Sequence, residues 1–376
     1  MNNGSKKKYK AIALLSGGLD SRLAVKMMLD QGVEVEAINF MTVFCTCTAK
    51  GSCKSEAKKA AEEYGIPMKT LNVTEGLMAA VKNPKHGYGR GLNPCLDCRI
   101  NMFRRAGEYM REVGADFIVT GEVLGERPMS QRPDAIRIIE EESGLSGLVV
   151  RPLSAHLFEP TIPEQKGWVD RSRLMAIRGR SRKPQMQLAD EIGVNDYPCP
   201  SGGCLLTDKN FSNRLKSLMD KSKSEGSDPP LADIRSLRMG RIFFSSEDRR
   251  ILIPRNEDET RRVANIAREG DTLMEAAELT GPTTLIRGNG GGATLREAAA
   301  LTARYGQGRD RDQVSVRCWV VGKNTNSEES TGGKNADGNS AVVNNDGGKS
   351  VGDGEFEIIE VSPEEGRRLA ESLERQ

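Results

Sequence analysis

The chain has 376 residues, 37% of them hydrophobic and 29% charged, enough apolar material for about two or three ordinary domains. Fifty-five Lys and Arg against 53 Asp and Glu leave a formal net charge of +2, so there is no global basic field and a nucleic-acid site must be a local patch. With only two histidines, His86 and His156, a histidine triad or a His-rich metal centre is disfavoured, and a mean hydropathy of −0.51 without a long apolar run argues against a transmembrane helix.

The basic start up to Lys8 is followed by an apolar stretch, residues 11–15, too short for the core of a signal peptide, so the expectation is a soluble cytoplasmic protein with no membrane partner. Residues 11–15, 35–40, 117–120 and 148–150 read as short buried strands. Residues 21–29, 55–64, 100–113 and 180–192 read as helices between and after them. This alternation predicts an α/β fold, a doubly wound parallel sheet, over residues 1–215. The composition of residues 221–230 marks a linker, placed at 216–230. A second, smaller α+β domain is expected at 231–376. Strands are read there at 234–244, 250–254, 282–286, 314–321 and 356–361, and helices at 258–268, 294–305 and 363–374. Residues 323–354 are rich in Asn, Gly, Ser and Asp and are expected to be a disordered insertion, because they cannot bury enough surface to offset their ordering entropy.

The most informative string is Ser16-Gly17-Gly18-Leu19-Asp20-Ser21, at the junction of the first strand and first helix. Two glycines let the backbone approach a phosphate, and successive N–H groups at a helix N-terminus favour the anion. Ser16 and Ser21 add hydroxyl donors, whereas Asp20 suits a magnesium ion better than a bare phosphate. The plain alternative is a strand-to-helix turn. Thr120-Gly121-Glu122 follows the strand at 117–120, at the carboxyl edge of the sheet where open α/β folds bind ligands.

Eight cysteines in a cytoplasmic chain point to metal or sulfur chemistry more than to disulfides. Cys95 and Cys98 form C-x-x-C at a helix entry, Cys199 and Cys204 flank a Pro/Gly turn, and Cys45, Cys47 and Cys53 follow the second strand with no assigned role. Cys318 sits in an apolar strand pattern and reads as core. A redox pair, a four-cysteine zinc site and half of an iron–sulfur site are all open on spacing alone. Arg171, Arg173, Arg178, Arg180, Arg182 and Lys183 fall within thirteen residues, either a solvated face or a phosphate-contacting patch. The Gly288–Gly292 run reads as a flexible loop.

The Ser16–Ser21 string resembles the signature of the PP-loop (N-type) ATP pyrophosphatases. That resemblance implies ATP with Mg2+ on Ser16, Gly17, Gly18, Asp20 and Ser21, Thr120 and Gly121 bordering the nucleotide, and the backbone near Asn39 and Phe40 facing adenine. Glu122 stands where many relatives carry His. In similar tRNA thiolases a C-x-x-C and one distant cysteine ligate a 4Fe–4S cluster, and others use two cysteines through a persulfide and a disulfide. The implied set here is Asp20, Cys95, Cys98 and Cys204 as catalytic residues. Cys95, Cys98 and Cys204 would hold the cluster, with Cys199 as the alternative third ligand and zinc as the alternative metal. Arg178, Arg180, Arg182 and Lys183 are implied to touch tRNA, and Arg151-Pro152-Leu153-Ser154 is also similar to a segment of such enzymes.

Gly240-Arg241, Pro254-Arg255-Asn256-Glu257, Gly281-Pro282 and Ala303-Arg304-Tyr305 resemble an NFACT-R type RNA-binding domain, which would stand in for the N-terminal RNA-binding extension of 4-thiouridine synthetases. The implied function is a tRNA sulfurtransferase that adenylates a uridine carbonyl and inserts sulfur. Its partners would be tRNA and a sulfur donor, either sulfide or a cysteine desulfurase persulfide, and a homodimer is compatible. Asp20 and Glu122 are both open as general bases. The rival classes are sulfur transfer to a small molecule and a non-catalytic RNA-binding protein.

Overall fold

A computed structural model describes residues 8–46, 53–198, 203–224, 226–288, 290–322 and 356–373. The chain divides into two compact units, Met1–Lys216 and Ser217–Gln376. No helix among the described residues is long and apolar enough to cross a membrane.

The first unit runs β1 (Lys10–Leu14), α1 (Leu19–Leu29), β2 (Glu34–Met41), α2 (Cys53–Glu63), β3 (Met68–Asn72), α3 (Thr74–Lys82), α4 (Cys95–Glu112), β4 (Phe117–Thr120), α5 (Pro133–Ser143) and β5 (Val149–Val150). The short α6 (Ile162–Gln165) and α7 (Lys183–Ile192) follow, and α8 (Lys209–Ser224) begins in this unit and runs past its end. Its five strands are all parallel, in the order β3-β2-β1-β4-β5. The chain reverses its direction of winding between β1 and β4, which opens a crevice at their carboxyl ends.

Strand alternation fixes the two layers. Ala11, Ala13, Val35 and Ala37 pack with Leu23, Met28, Ala57, Ala60, Leu188 and Ala189, so α1, α2 and α7 cover one face. Ile12, Ile38, Ile118 and Val149 pack with Ile100, Phe103, Ala106 and Ile139, so α4 and α5 cover the other. The doubly wound parallel sheet is present as expected. β3, α3 and α5 add to it where the sequence reading placed no element. β3 is a short edge strand of mixed polarity, and α5 hides its start behind an Arg-Pro-Asp run with Pro133 in its first turn.

The second unit contains α9 (Leu231–Ser236), β6 (Arg241–Phe244), β7 (Arg250–Ile253), α10 (Glu257–Ile266), β8 (Thr272–Ala276), β9 (Thr284–Ile286), α11 (Gly292–Tyr305), β10 (Val314–Val320), β11 (Glu357–Val361) and α12 (Pro363–Leu373). Its six strands form an antiparallel sheet in the order β11-β10-β8-β9-β7-β6. Ile251, Ile253, Met274 and Val316 pack with Ala298, Ala299 and Ala303 of α11, while Leu252, Leu273 and Leu285 pack with Val263 of α10 on the opposite face. Cys318 is 4% exposed in this core, so its role is packing.

Three readings change. Residues 234–244 are not one strand, because α9 follows the Pro229-Pro230 pair and only residues 241–244 extend. The stretch read as the start of a linker is helical to Ser224 within α8. β8 was unread because it is buried along its whole length and so lacks polar alternation. The expected disordered insertion at 323–354 lies outside the described residues, as does Asn289 in the glycine run, whose last residue Gly292 opens α11.

Candidate functional site

The Ser16–Ser21 loop lies at the carboxyl end of β1, on the crevice. Gly17 has φ +83°, and a Cβ there would lie 2.5 Å from the Glu56 carbonyl carbon and 2.6 Å from the Ala57 nitrogen, so α2 presses against the loop. No side chain caps α1 at Gly18, which leaves its first N–H groups for an outside acceptor. The Ser16 and Ser21 hydroxyls are 3.2 Å apart, and the Ser21 hydroxyl donates to the Gly18 carbonyl at 2.9 Å. Arg22, fully buried, donates from Nε to the Gly17 carbonyl at 3.0 Å and pairs with Glu63. The loop is therefore braced from behind by a cation that the sequence did not single out.

Gly121, at the end of β4, touches the same loop. A Cβ on it would lie 2.4 Å from the Asp20 carbonyl carbon and 2.6 Å from the Ser21 nitrogen. The Thr120-Gly121 step and the glycine turn are thus one surface, with Thr120 buried beside it. The Asn39 side chain donates from Nδ2 to the Leu15 carbonyl at 2.9 Å, while its buried Oδ1 has no hydrogen-bond partner.

Asp20 is mostly buried, and burial raises its pKa against the opposing influence of Arg182 and Gln185. Its Oδ1 has no hydrogen-bond partner. Burial and the charge of Asp20 likewise raise the pKa of Glu126. Two neighbouring carboxylates, each costly to ionise and one with an orphaned oxygen, fit a divalent cation such as Mg2+. Glu126 lies in no motif and was not legible in the sequence.

Glu122 is 2% exposed. Arg151 Nε donates to it at 3.1 Å, and Arg99, next to Cys98 in α4, also donates to it. Burial pulls its pKa up, but the two guanidinium groups outweigh burial and hold it below the ordinary carboxylate value. Its two oxygens accept from the two guanidinium groups, one on α4 and one after β5. Its role is to brace the C-x-x-C turn against the Thr120 loop. The two histidines lie apart from this chemistry, His86 in a 2.9 Å contact with Glu142 and His156 on the surface.

Cys95 and Cys98 occupy the first turn of α4, one helical step apart and on one face. Cys204 comes to them from the segment after α7. Cys45, which the sequence left unassigned, joins them: it forms an antiparallel bridge with Cys204, and the Leu205 N–H donates to the Phe44 carbonyl at 2.9 Å. The Thr46 hydroxyl donates to the Gly203 carbonyl at 2.6 Å. Burial and the neighbouring Cys204, Cys95 and Cys45 sulfurs push the Cys98 thiol up to about 12, and burial pushes Cys204 up to about 11. All four sulfurs are reduced. Among the described residues, however, no group of three or more His, Cys, Asp and Glu side chains is arranged to hold a metal ion. The four thiols are nevertheless neighbours, and thiolates of this kind suit a 4Fe–4S cluster or zinc, with Cys95, Cys98 and Cys204 as the residues that would hold it. Cys47 and Cys199 lie outside the described residues.

The basic cluster separates into two groups. Arg171 pairs with Glu164 at 2.9 Å and donates to the Ala155 and Phe158 carbonyls, and Arg173 donates to the Asp30 carbonyl at 3.1 Å. Arg171 is thus fastened into the fold, whereas Arg173 keeps an exposed side chain. Arg178, Arg180 and Lys183 are exposed, and Arg182 is half-buried near Asp20. Ser154 positions this strand of charge, accepting from the Leu124 N–H at 3.1 Å and donating to the Ile177 carbonyl at 2.7 Å.

Sheet order, glycine turn and Thr-Gly step together define a doubly wound α/β unit with a phosphate-type turn at its carboxyl edge, with an antiparallel α+β unit following it in sequence. Residues 6–157 match the family model described as "Thiamine biosynthesis protein (ThiI)", and residues 240–336 match "NFACT protein RNA binding domain", so both resemblances read from the sequence are present. A tRNA-specific 2-thiouridylase of Natranaerobius thermophilus is 32% identical over 61% of this chain and 64% of its own length, and one of Marinobacter nauticus is 25% identical over 56% and 54%. The chain thus spans about half to two thirds of the length of these curated relatives. Among solved structures, a 4-thiouridine synthetase–RNA complex with bound ATP is 23% identical with a TM-score of 0.32, covering 50% of this chain and 52% of that one. The U34-tRNA thiolase NcsA of Methanococcus maripaludis with its [4Fe-4S] cluster is 17% identical with a TM-score of 0.30, covering 63% and 73%.

Proposed function

We propose that this chain is an ATP-dependent tRNA-uridine sulfurtransferase acting in the cytoplasm. The observation that carries the reading is the convergence of a phosphate-type glycine turn, two cation-ready carboxylates and four cysteines at the carboxyl edge of one parallel sheet. The family match over residues 6–157 and the thiouridylase relatives support it.

In this reading the amides from Gly17 to Ser21 and the two serine hydroxyls hold the pyrophosphate of ATP, with Mg2+ at Asp20 and Glu126. A uridine carbonyl oxygen, splayed from the RNA, attacks the α-phosphorus. The bond from that phosphorus to the bridging oxygen breaks and pyrophosphate leaves. The terminal sulfur of a persulfide carried by Cys98 or Cys204 then attacks the activated carbon, and AMP departs with its oxygen. The other cysteine, as thiolate, attacks the carrier sulfur, the S–S bond breaks and thiouridine leaves. The Cys98–Cys204 disulfide that remains is reduced by an external dithiol. The outer sulfur of that persulfide comes as sulfane sulfur from the persulfide of a cysteine desulfurase, whose own cysteine leaves as a thiol. Cys95, Cys98 and Cys204 are also the residues on which a 4Fe–4S cluster or zinc would draw. Arg178, Arg180, Arg182 and Lys183 contact RNA phosphates, and the second unit adds RNA affinity.

The decisive experiment measures pyrophosphate release from ATP with and without tRNA. Release is expected only with tRNA, and Asp20→Asn is expected to abolish it while leaving the folded content unchanged. Full release by that variant would overturn the site. A second reading, sulfur transfer to a small molecule, is favoured by the thiamine-biosynthesis description of the matching model. Release that does not depend on tRNA would select it. An Arg178→Glu, Arg180→Glu double variant is expected to bind tRNA more weakly and with a shallower dependence of affinity on salt, since fewer counterions are released. An unchanged slope in filter binding would take these arginines out of the interface.

A further inference from the structure

The loop after β2 and the segment before α8 are held together at Cys45 and Cys204. The Leu205 N–H to Phe44 carbonyl bond flanks this pair, so the two cysteines stand directly opposite each other as a non-hydrogen-bonded antiparallel pair. Such pairs bring Cα atoms to about 4.5 Å with side chains on the same face. That lies within the roughly 4.4–6.8 Å window that a disulfide spans without backbone movement. The contact is anchored on both sides, by the Thr46 hydroxyl on the Gly203 carbonyl at 2.6 Å and by Phe44, fully buried, edge-on to Phe211 at 6.0 Å. Both sulfurs are reduced, and both residues are partly exposed to solvent. Cys45 also acts more strongly on the Cys204 thiol than Cys95 does.

We infer that Cys45 and Cys204 are a redox-active pair that closes reversibly to a disulfide by exchange with an external disulfide. In the first step the Cys204 thiolate attacks one sulfur of the external disulfide, its S–S bond breaks, and one thiol leaves. In the second, the Cys45 thiolate attacks the Cys204 sulfur of the mixed disulfide and the second thiol leaves. The protein loses two electrons and two protons, and the external disulfide is reduced to two thiols. A dithiol reductant reverses both steps. Closure withdraws Cys204 from Cys95 and Cys98, so the pair sets whether that sulfur is available. The inference stands on the strand contact and does not require the thiolation reading.

The test treats the full chain with oxidised glutathione at about pH 9.5, above the ordinary cysteine pKa, because burial raises the Cys204 thiol and a usable thiolate fraction needs the higher pH. Alkylation, tryptic digestion and mass spectrometry follow. The expected product is a cross-link between residues 27–50, which contain Cys45 and Cys47, and residues 183–209, which contain Cys199 and Cys204. It should persist in Cys47→Ser and in Cys199→Ser and vanish in Cys45→Ser and in Cys204→Ser. In Cys45→Ser, glutathione should remain attached to Cys204, because the resolving thiol is gone; a packing role for Cys45 would not produce that adduct. No cross-link in the wild-type chain, or one that survives loss of Cys45 or Cys204, would overturn the pair.

Discussion

Gly121→Ala is expected to abolish ATP binding in calorimetry and to lower the melting temperature of the first unit. The added methyl would lie 2.4 Å from the Asp20 carbonyl carbon and 2.5 Å from its oxygen, inside any real carbon contact. The obstacle is backbone rather than the end of a flexible side chain, so the strand end and the glycine turn must separate. Overpacking of this kind costs about 1–3 kcal/mol. The loss of function should be larger than the loss of stability, because the atoms displaced are those that define the loop. Gly17→Ala should behave alike for two reasons at once: its φ of +83° and the Glu56–Ala57 backbone 2.5–2.6 Å from the new carbon. A Gly121→Ala chain with wild-type affinity for ATP would show that the two loops do not form one surface.

Glu122→Gln is expected to destabilise the first unit by about 3–5 kcal/mol, because it removes the buried charge that Arg99 and Arg151 share and leaves Arg151 only its second pair, with Glu140. The wild-type carboxylate has a depressed pKa, so its contribution is fully present above the unfolded value, about 4.3, and fades as pH falls through the lower folded value. Denaturant titrations should therefore show the variant far behind wild type at neutral pH, with the gap narrowing under acid. A gap that stayed constant from neutral to acid pH would mean that ionisation of Glu122 is not what holds the arginines.

The sequence disclosed those features that a short string dictates. Ser16–Ser21 does so because its glycines and its position after a strand leave few backbone solutions, and the Thr120-Gly121 step does so because β4 is a plain apolar run. It was silent where function depends on distant segments meeting. Thr46 and Gly203 are 157 positions apart, so nothing local could bring Cys45 to Cys204. Glu126 belongs to no pattern, and Arg22 looks like any helix arginine until its buried bond to Gly17 is seen. The basic run misled in part, since charge alone does not distinguish Arg171, committed to Glu164 and two carbonyls, from Arg180 on the surface. In the second unit, β8 was missed because a sheet covered on both sides erases the alternation that marks a strand.

Ala11, Ala13 and Ala37 form the floor on which α1 and α2 rest, whereas the opposite face of the same strands carries Ile12 and Ile38. Those three methyl groups set the thickness of one layer, and through it the height at which the first amides of α1 stand above the sheet. Residues that never meet a ligand thereby act as shims under the phosphate cradle. Since a shift of about 1 Å can slow a reaction about 100-fold, bulkier floor residues would be tolerated by the fold long before they were tolerated by the chemistry.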